Sequence, residues 1–172
     1  GLKRGSAPVE TFVEPVHSLF NIRHVVLNNE VVSESWFDNF SEKEAIRTLD
    51  LSNCTITKNL MYRVATNSFL RRLIFNSCNL NSDIVSPLFD PSSNMSGLEV
   101  LHLKTNPKVT FKAFKGVERL DESMKLSILP KLRTVNMGGC KLGPKGALAL
   151  AQLCGKSLKT IYLENSWIGT KG

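Results

Sequence analysis

Three histidines and four cysteines are the residues of this 172-residue chain to consider first for a zinc site or a thiol nucleophile. They are His17, His24, His102, Cys54, Cys78, Cys140 and Cys154. The sequence contains no C-x-x-C pair, which usually marks a zinc site, and no G-x-S-x-G motif for a nucleophilic serine. No cysteine lies near a histidine in sequence, although catalytic groups can also assemble from distant positions. The residues therefore predict no enzyme, no metal and no cofactor.

One glycine-rich segment comes close to a phosphate-binding loop. Such a loop requires G-x-x-x-x-G-K followed by Ser or Thr. Here Gly138 and Gly143 have the correct spacing, but Pro144 displaces Lys145 by one residue and removes a backbone donor. Gly146 occupies the place of the magnesium-binding hydroxyl. The segment is therefore predicted to form a turn and not to bind a nucleotide.

The sequence repeats internally, and the repeat accounts for most of the cysteines. The pattern L-x-x-L-x-L-x-x-N/C-x-L is clearest at residues 46–56 and 70–80. Six copies begin at Ile22, Ile46, Leu70, Leu98, Leu132 and Leu158. Four of them have Cys54, Cys78, Asn106 and Cys140 at the ninth position. A small hydrogen-bonding side chain there satisfies buried backbone groups, so these thiols are predicted to be structural.

The spacing within each copy predicts a short strand that is not stable alone. Apolar side chains at the fourth and sixth positions point to one side of such a strand, and the fifth points to the other. A strand of about three residues cannot bury its own apolar face, so the copies must stack and share one core.

These residues resemble the leucine-rich repeat family over residues 22–172. The segment 132–172, with its Cys140-x-Leu142 spacing, is similar to the ribonuclease-inhibitor-like subtype, whereas Leu150-Ala151-x-x-Cys154 resembles the cysteine-containing subtype. The resemblance implies an α/β fold: a leucine-rich repeat solenoid of about six repeats. Parallel strands would form the concave face, and helices or irregular segments the convex face. It also implies a non-catalytic scaffold for protein–protein interaction.

Two regions are expected along the chain. Residues 1–21 read as an N-terminal cap or a degenerate repeat, and residues 22–172 as the leucine-rich repeat domain. The last copy stops where the next convex helix would begin, so the domain is expected to continue beyond residue 172 in a parent protein.

The segments between the strands predict convex elements of unequal regularity. Gly143-Pro144 can begin a helix, since Pro is tolerated in the first turn, residues 147–154 are rich in Ala and Leu, and Gly155 ends it. Weaker helical patterns cover residues 33–45 and 57–69, and the prolines of residues 81–97 allow only a short helix. Residues 110–131 are longer than a standard convex segment. They carry Phe111, Phe114, Val117 and Leu120 at helical spacing and form a candidate contact site.

The predicted concave surface consists of the third, fifth, seventh and eighth positions of each copy. The candidate partner-binding residues are His24, Val26, Asp50, Arg72, Ile74, Asn76, His102, Lys104, Asn136, Tyr162 and Glu164. Ile74 beside Arg72 is the expected hot spot, since apolar, aromatic and arginine side chains often anchor protein interfaces. The alternative is a solvated strand surface that contacts nothing.

Basic residues recur at the second position of five copies, at Arg23, Arg47, Arg71, Arg133 and Lys159, and the chain carries a net charge of +7. Stacking would align them in a basic ridge that meets acidic protein or phosphate. The simpler alternative is that they only increase solubility. The ridge has no interleaved aromatic residues, so nucleic acid is the less favoured partner.

The remaining expectations concern location and alternative roles. The longest purely apolar runs have five residues, far fewer than the roughly 20 that span a bilayer, so no membrane insertion is predicted. No small-molecule substrate is expected. The expected location is intracellular and cytoplasmic. The Leu150-Ala151-x-x-Cys154 element also suggests the substrate-recognition part of a ubiquitin ligase complex.

Overall fold

The computed structural model describes residues 22–38, 46–154 and 157–169, and its main feature is a parallel sheet. Six three-residue strands follow one another in chain order. They are β1 (His24–Val26), β3 (Thr48–Asp50), β5 (Arg72–Ile74), β6 (Val100–His102), β7 (Thr134–Asn136) and β8 (Thr160–Tyr162). Two shorter strands, β2 (Val31–Val32) and β4 (Thr55–Ile56), pair separately. The N-terminal cap predicted over residues 1–21 lies outside the described residues.

The strands coincide with the third to fifth positions of the six sequence copies. The pairing is in register, so that each fourth-position residue lies opposite the next: Val25, Leu49, Leu73, Leu101, Val135 and Ile161. From Leu49 to Val135 these side chains are fully buried. The sheet with its flanking helices fits an α/β repeat fold, in which a shared core replaces the core that no single copy could form.

Side chains at the ninth position join successive copies through buried hydrogen bonds. Cys78 Sγ donates to the Leu51 carbonyl at 3.1 Å, and Cys140 Sγ donates to the Leu103 carbonyl at 3.2 Å. In the last copy, Ser166 Oγ donates to the Met137 carbonyl at 2.9 Å. Each acceptor is the sixth-position carbonyl of the preceding copy. The small donor expected from the sequence therefore satisfies a carbonyl of the neighbouring copy.

Asn106 makes more hydrogen bonds than the cysteines at the same position. Its Nδ2 donates to the carbonyls of Phe75 and Leu103, both at 2.8 Å. Its Oδ1 accepts from the N–H groups of Cys78 and Leu80 at 3.1 and 3.0 Å. An amide supplies both donors and acceptors, whereas a thiol supplies only a weak donor. Asn106 is therefore the most extensively bonded member of this row among the described residues.

The eighth position forms a left-handed turn in every copy. Its residues are Asn29, Asn53, Ser77, Thr105, Gly139 and Asn165, with φ between 56° and 75°. Asn and Gly adopt this conformation most readily, and a β-branched residue such as Thr adopts it only with strain. The sequence pattern predicts that this position belongs to the binding surface. The backbone conformation instead accounts for the residue types found there.

The helical side contains five α-helices and three 3₁₀ turns among the described residues. The helices are α1 (Glu34–Asp38), α2 (Lys58–Ala65), α3 (Ser82–Val85), α4 (Glu122–Ile128) and α5 (Gly143–Cys154). The 3₁₀ turns cover Ser86–Phe89, Phe111–Phe114 and Val117–Arg119. The helix predicted to begin at Gly143-Pro144 and to include residues 147–154 is confirmed as Gly143–Cys154, while Gly155 lies outside the described residues. No described helix has the length and apolar character needed to cross a bilayer.

The long segment at residues 110–131 differs from the helical prediction. Phe111, Phe114, Val117 and Leu120 recur at intervals of three, the period of a 3₁₀ helix, and the chain forms two 3₁₀ turns before α4 begins. Phe114 is buried, with its ring centroid 4.5 Å from that of Phe89, and Val117 is also buried. The first half of this segment therefore extends the core. Exposed apolar side chains occur only later in it, at Met124 and Leu126 of α4.

Candidate interaction surface

One face of the six-stranded sheet covers the core, and the other face is open. The middle residue of β1, β3, β5, β6 and β7 is buried, and the flanking third- and fifth-position residues are exposed or half-buried. We call the surface formed by the third, fifth and seventh positions the open face. All eleven candidate partner-binding residues lie on it. Whether they bind a partner stays a prediction.

Apolar side chains occur at both ends and in the middle of the open face. Val26 on β1 is 68% exposed and Tyr162 on β8 is 43% exposed. Ile74 is half-buried at the centre, with the exposed Arg72 two residues before it on β5. Such side chains lose unfavourable contact with water when a partner covers them.

His102 lies next to Ile74 in the register and carries an unusual polar atom. Its Nε2 is buried without a hydrogen-bond partner among the described residues. Burial lowers the pKa of His102 below its usual value, and the nearby positive charge of Arg72 lowers it further, while Asp50 acts in the opposite direction. Both effects favour the uncharged form of the imidazole.

Several polar candidates also hold the turns that follow the strands. Asp50 Oδ1 accepts hydrogen bonds from the N–H and the hydroxyl of Ser52, at 3.0 and 2.7 Å. Asn136 Oδ1 accepts from the Gly138 N–H at 3.1 Å. Because their oxygens already have partners, these side chains have less capacity to bind another molecule.

Asn76 has a similar role between copies, since its Oδ1 accepts from the Lys104 N–H at 3.0 Å. The repeat pattern did not reveal these contacts. For Asp50 and Asn136, an acidic or amide residue two positions before Ser or Gly is the signal that could have indicated the contact, since such side chains bond to nearby backbone. The Asn76 contact has no such local signal, because its partner lies 28 residues further along the chain.

The basic ridge is stacked by main-chain hydrogen bonds. The carbonyl of each second-position residue accepts a hydrogen bond from the N–H of the second-position residue in the next copy, at 2.8–2.9 Å. The residues follow one another in the order Arg23, Arg47, Arg71, Glu99, Arg133 and Lys159. Two guanidinium groups point back to the protein. Arg47 bonds the Ile46 carbonyl at 3.5 Å and lies over the Phe69 ring, and Arg71 bonds the Ser68 carbonyl at 3.4 Å. Arg23, Arg133 and Lys159 are exposed, and Glu99 interrupts the row.

The four cysteines are free thiols inside the core. Burial raises the pKa of all four thiols. The pKa rises to about 11 for Cys78 and Cys140 and to about 12 for Cys154, and it is also raised for Cys54. A nucleophilic or metal-binding cysteine needs its thiolate form, which these environments disfavour. Within the described part of the chain, no three His, Cys, Asp or Glu side chains form a group that could hold a metal.

The helical side contains a depression of about 410 Å³, lined by Glu34, Asn59, Tyr62, Arg63 and Thr66. Its carboxylate is already occupied: Glu34 accepts hydrogen bonds from the Thr57 hydroxyl at 3.1 Å and from Asn59 Nδ2 at 3.2 Å. Hydrogen bonds lower the pKa of Glu34, and the bond from its own backbone N–H has the largest effect. These contacts hold α1 against α2.

Comparison with known families gives one match. Residues 129–151 match a family model described as Leucine Rich repeat, a range that includes β7 and the first nine residues of α5. This match supports a leucine-rich repeat protein, and domains of that kind generally mediate protein–protein interactions and are typically non-catalytic. No curated protein matches the chain. The subtype, the face that binds, the ubiquitin-ligase role and the cellular location stay predictions.

Proposed function

We propose that this protein is a six-repeat leucine-rich solenoid, of the ribonuclease-inhibitor-like subtype, that binds a protein partner on its concave face. The open face of the sheet is that concave surface. The observation that carries the proposal is the set of exposed anchors on this face, Val26, Arg72 and Tyr162, around the half-buried Ile74. The hydrophobic core between the sheet and helices such as α2 covers the other face of the sheet. The open face is therefore the face on which a partner can contact the strand side chains.

The character of the open face favours a folded protein over a small ligand. Its anchors are spread from β1 to β8 along the whole sheet, whereas small molecules prefer a concave apolar pocket with a few convergent polar groups. Both signs of charge are present, with Arg72 and Lys104 against Asp50 and Glu164. Such a mixed surface selects a partner by electrostatic complementarity as well as by apolar contact.

The test is affinity capture from lysate with two matched triple variants. The first changes the open face, Arg72→Glu/Ile74→Asp/Tyr162→Ala. The control makes the same types of change on the helical side, Arg63→Glu/Leu148→Asp/Tyr62→Ala, where all three side chains are exposed.

We expect the wild type and the control to retain the same protein at low and moderate salt, and the open-face variant to lose it. Circular dichroism establishes that each variant is folded. Equal capture by both triple variants would refute recognition by the open face.

The basic ridge supports a second candidate, a nucleic-acid binder, because main-chain bonds align its residues in one row. Phosphate binding weakens steeply with salt, since each contact releases a counterion. The reversal Arg23→Glu/Arg133→Glu/Lys159→Glu should then abolish binding to a single-stranded oligonucleotide at low salt. Binding that persists in this variant, or that is absent from the wild type, would reject the candidate.

A further inference from the structure

The positive charge of this chain is concentrated in one part of the sequence. Residues 100–163 contain twelve Lys and Arg against three Asp and Glu, whereas the rest of the chain contains ten against twelve. The net charge of +7 therefore arises entirely from this part. Of its twelve basic residues, only Lys104, Arg133 and Lys159 belong to the open face or to the basic ridge.

Four of the other lysines lie where the convex segments of the fourth and fifth copies begin. We call them the lysine patch: Lys108, Lys112, Lys141 and Lys145. Thr110 and Lys141 form a parallel bridge, and the Lys141 N–H donates to the Val109 carbonyl at 2.9 Å. Residues two positions apart in a strand point to the same side, so Lys108 and Lys141 are diagonal neighbours on one surface.

Lys112 and Lys145 continue the patch along the same two segments. Lys145 lies in the first turn of α5, with its Nζ 5.6 Å from the centroid of the Phe111 ring, and Lys112 follows Phe111 in the chain. All four lysines are exposed. None has a carboxylate partner among the described residues, where the ion pair is that of Lys125 with Glu122.

Aromatic rings lie among these lysines. Phe111 is half-buried beneath Lys145, and the Lys141 Nζ lies 5.0 Å from the centroid of the Trp167 ring, which is 69% exposed. Trp167 has the tenth position of its copy, and the equivalent Asn79 and Lys141 of inner copies are exposed as well, so this exposure is a property of the repeat position. Basic side chains interleaved with aromatic rings are typical of surfaces on which unpaired bases stack.

We propose that the lysine patch, together with Trp167, binds single-stranded nucleic acid. The lysines would neutralise phosphates, and the indole would stack against a base. The single sign of the patch favours this partner over a protein. The open face carries both signs of charge, which suits selection of a protein, whereas a nucleic-acid strand presents one negative charge at each phosphate.

The patch is distinct from the two surfaces already described. Its lysines follow the ninth position, after each strand, whereas the basic ridge is formed by second-position residues before each strand. The two basic surfaces therefore lie at opposite ends of the strands. None of the four lysines belongs to the open face, so the proposal does not depend on the protein partner proposed there.

Fluorescence anisotropy with a labelled oligothymidylate of about 12 nucleotides, at low salt, tests which surface binds. The patch variant is Lys112→Glu/Lys141→Glu/Lys145→Glu, and the control is the ridge variant Arg23→Glu/Arg133→Glu/Lys159→Glu, which changes the net charge equally. We expect the patch variant to bind at least about tenfold more weakly than the wild type and the ridge variant to bind within about threefold of it. Equal losses in the two variants, or no binding by the wild type, would overturn the proposal.

The salt dependence measures the number of phosphate contacts. Four contacts with a single strand predict that the logarithm of the binding constant falls with the logarithm of salt concentration with a slope of about −3. Lys141→Gln should make this slope shallower by about 0.7, because it removes one contact. Lys58→Gln on α2, outside the patch, should leave the slope unchanged. A slope that Lys141→Gln does not alter contradicts the assignment.

An abasic strand of the same length distinguishes nucleic acid from other polyanions, because it keeps the phosphates and lacks the bases. The wild type should bind it about tenfold more weakly than oligothymidylate, and Trp167→Ala should lose this preference. The matched control is Tyr62→Ala, which removes another exposed ring with a lysine over it, since the Lys58 Nζ lies 5.6 Å from its centroid. This control should keep the preference.

Equal wild-type affinity for the two strands, or equally tight binding of polyglutamate, would identify the patch as a surface for acidic protein and overturn the proposal. Circular dichroism establishes that each variant is folded, so that a loss of binding is assigned to the altered side chains.

Discussion

At the scale of single residues, equivalent positions of the repeat perform one structural task with different chemical groups. The ninth position bonds a carbonyl of the preceding copy through a thiol in Cys78, an amide in Asn106 and a hydroxyl in Ser166. What these groups share is small size and a donor, because the site is buried and its acceptor is a main-chain carbonyl.

Asn106 gives the first prediction at this scale. Asn106→Ala leaves two buried N–H groups and two carbonyls without this partner, and each unsatisfied group costs about 1–3 kcal/mol. We expect the free energy of unfolding to fall by about 3 kcal/mol or more, measured by urea denaturation.

Asn106→Cys is the matched control, since it introduces the residue found at this position in other copies and keeps a donor. Its loss should be smaller than that of Asn106→Ala. A loss below about 1 kcal/mol for the alanine variant would show that water replaces the amide.

At the scale of elements, the helices are short and depend on their caps. The side-chain oxygens of Thr57, Asn81 and Asp121 accept the N–H of the residue three positions later, at the starts of α2, α3 and α4. Helices of four to eight residues have little intrinsic stability, so these caps and the packing against the core define where each helix begins.

Thr57 supplies the element-scale prediction. Its hydroxyl accepts from the Leu60 N–H at 3.1 Å and also bonds Glu34 of α1. Thr57→Ala should lower the free energy of unfolding by about 1 kcal/mol, whereas Thr57→Ser, which keeps the hydroxyl, should cost much less. Chemical denaturation of the two variants measures the difference, and equal losses would show that the methyl group matters more than the cap.

At the scale of the whole molecule, the copies have one continuous core, so the copies are expected to unfold together. The cysteines report on this property because they are buried in different copies: Cys54, Cys78, and the pair Cys140 and Cys154. All four should be unreactive toward a thiol reagent under native conditions, since burial and raised pKa both suppress the thiolate.

Thiol labelling followed by mass spectrometry tests the prediction. All four cysteines should become reactive at the same urea concentration, together with the loss of circular dichroism. Labelling of Cys54 at a lower concentration than Cys140 would show instead that the copies unfold separately.

The sequence by itself determined the position of every strand of the six-stranded sheet and the burial of the repeat residues in the four inner copies. A pattern of six copies with apolar fourth and sixth positions leaves few other ways to bury those side chains. It also indicated the side of the sheet on which the eleven candidate residues lie, because strand side chains alternate.

Only the tertiary structure decided what depends on neighbouring copies or on backbone dihedrals. The left-handed eighth position, the stacking of Arg47 over the Phe69 ring, the buried Nε2 of His102 and the 3₁₀ turns at residues 111–119 are of this kind. A repeat pattern specifies which residues face the core. It does not specify which partner a polar side chain finds in the next copy, because that partner is distant in sequence and is brought close only by stacking.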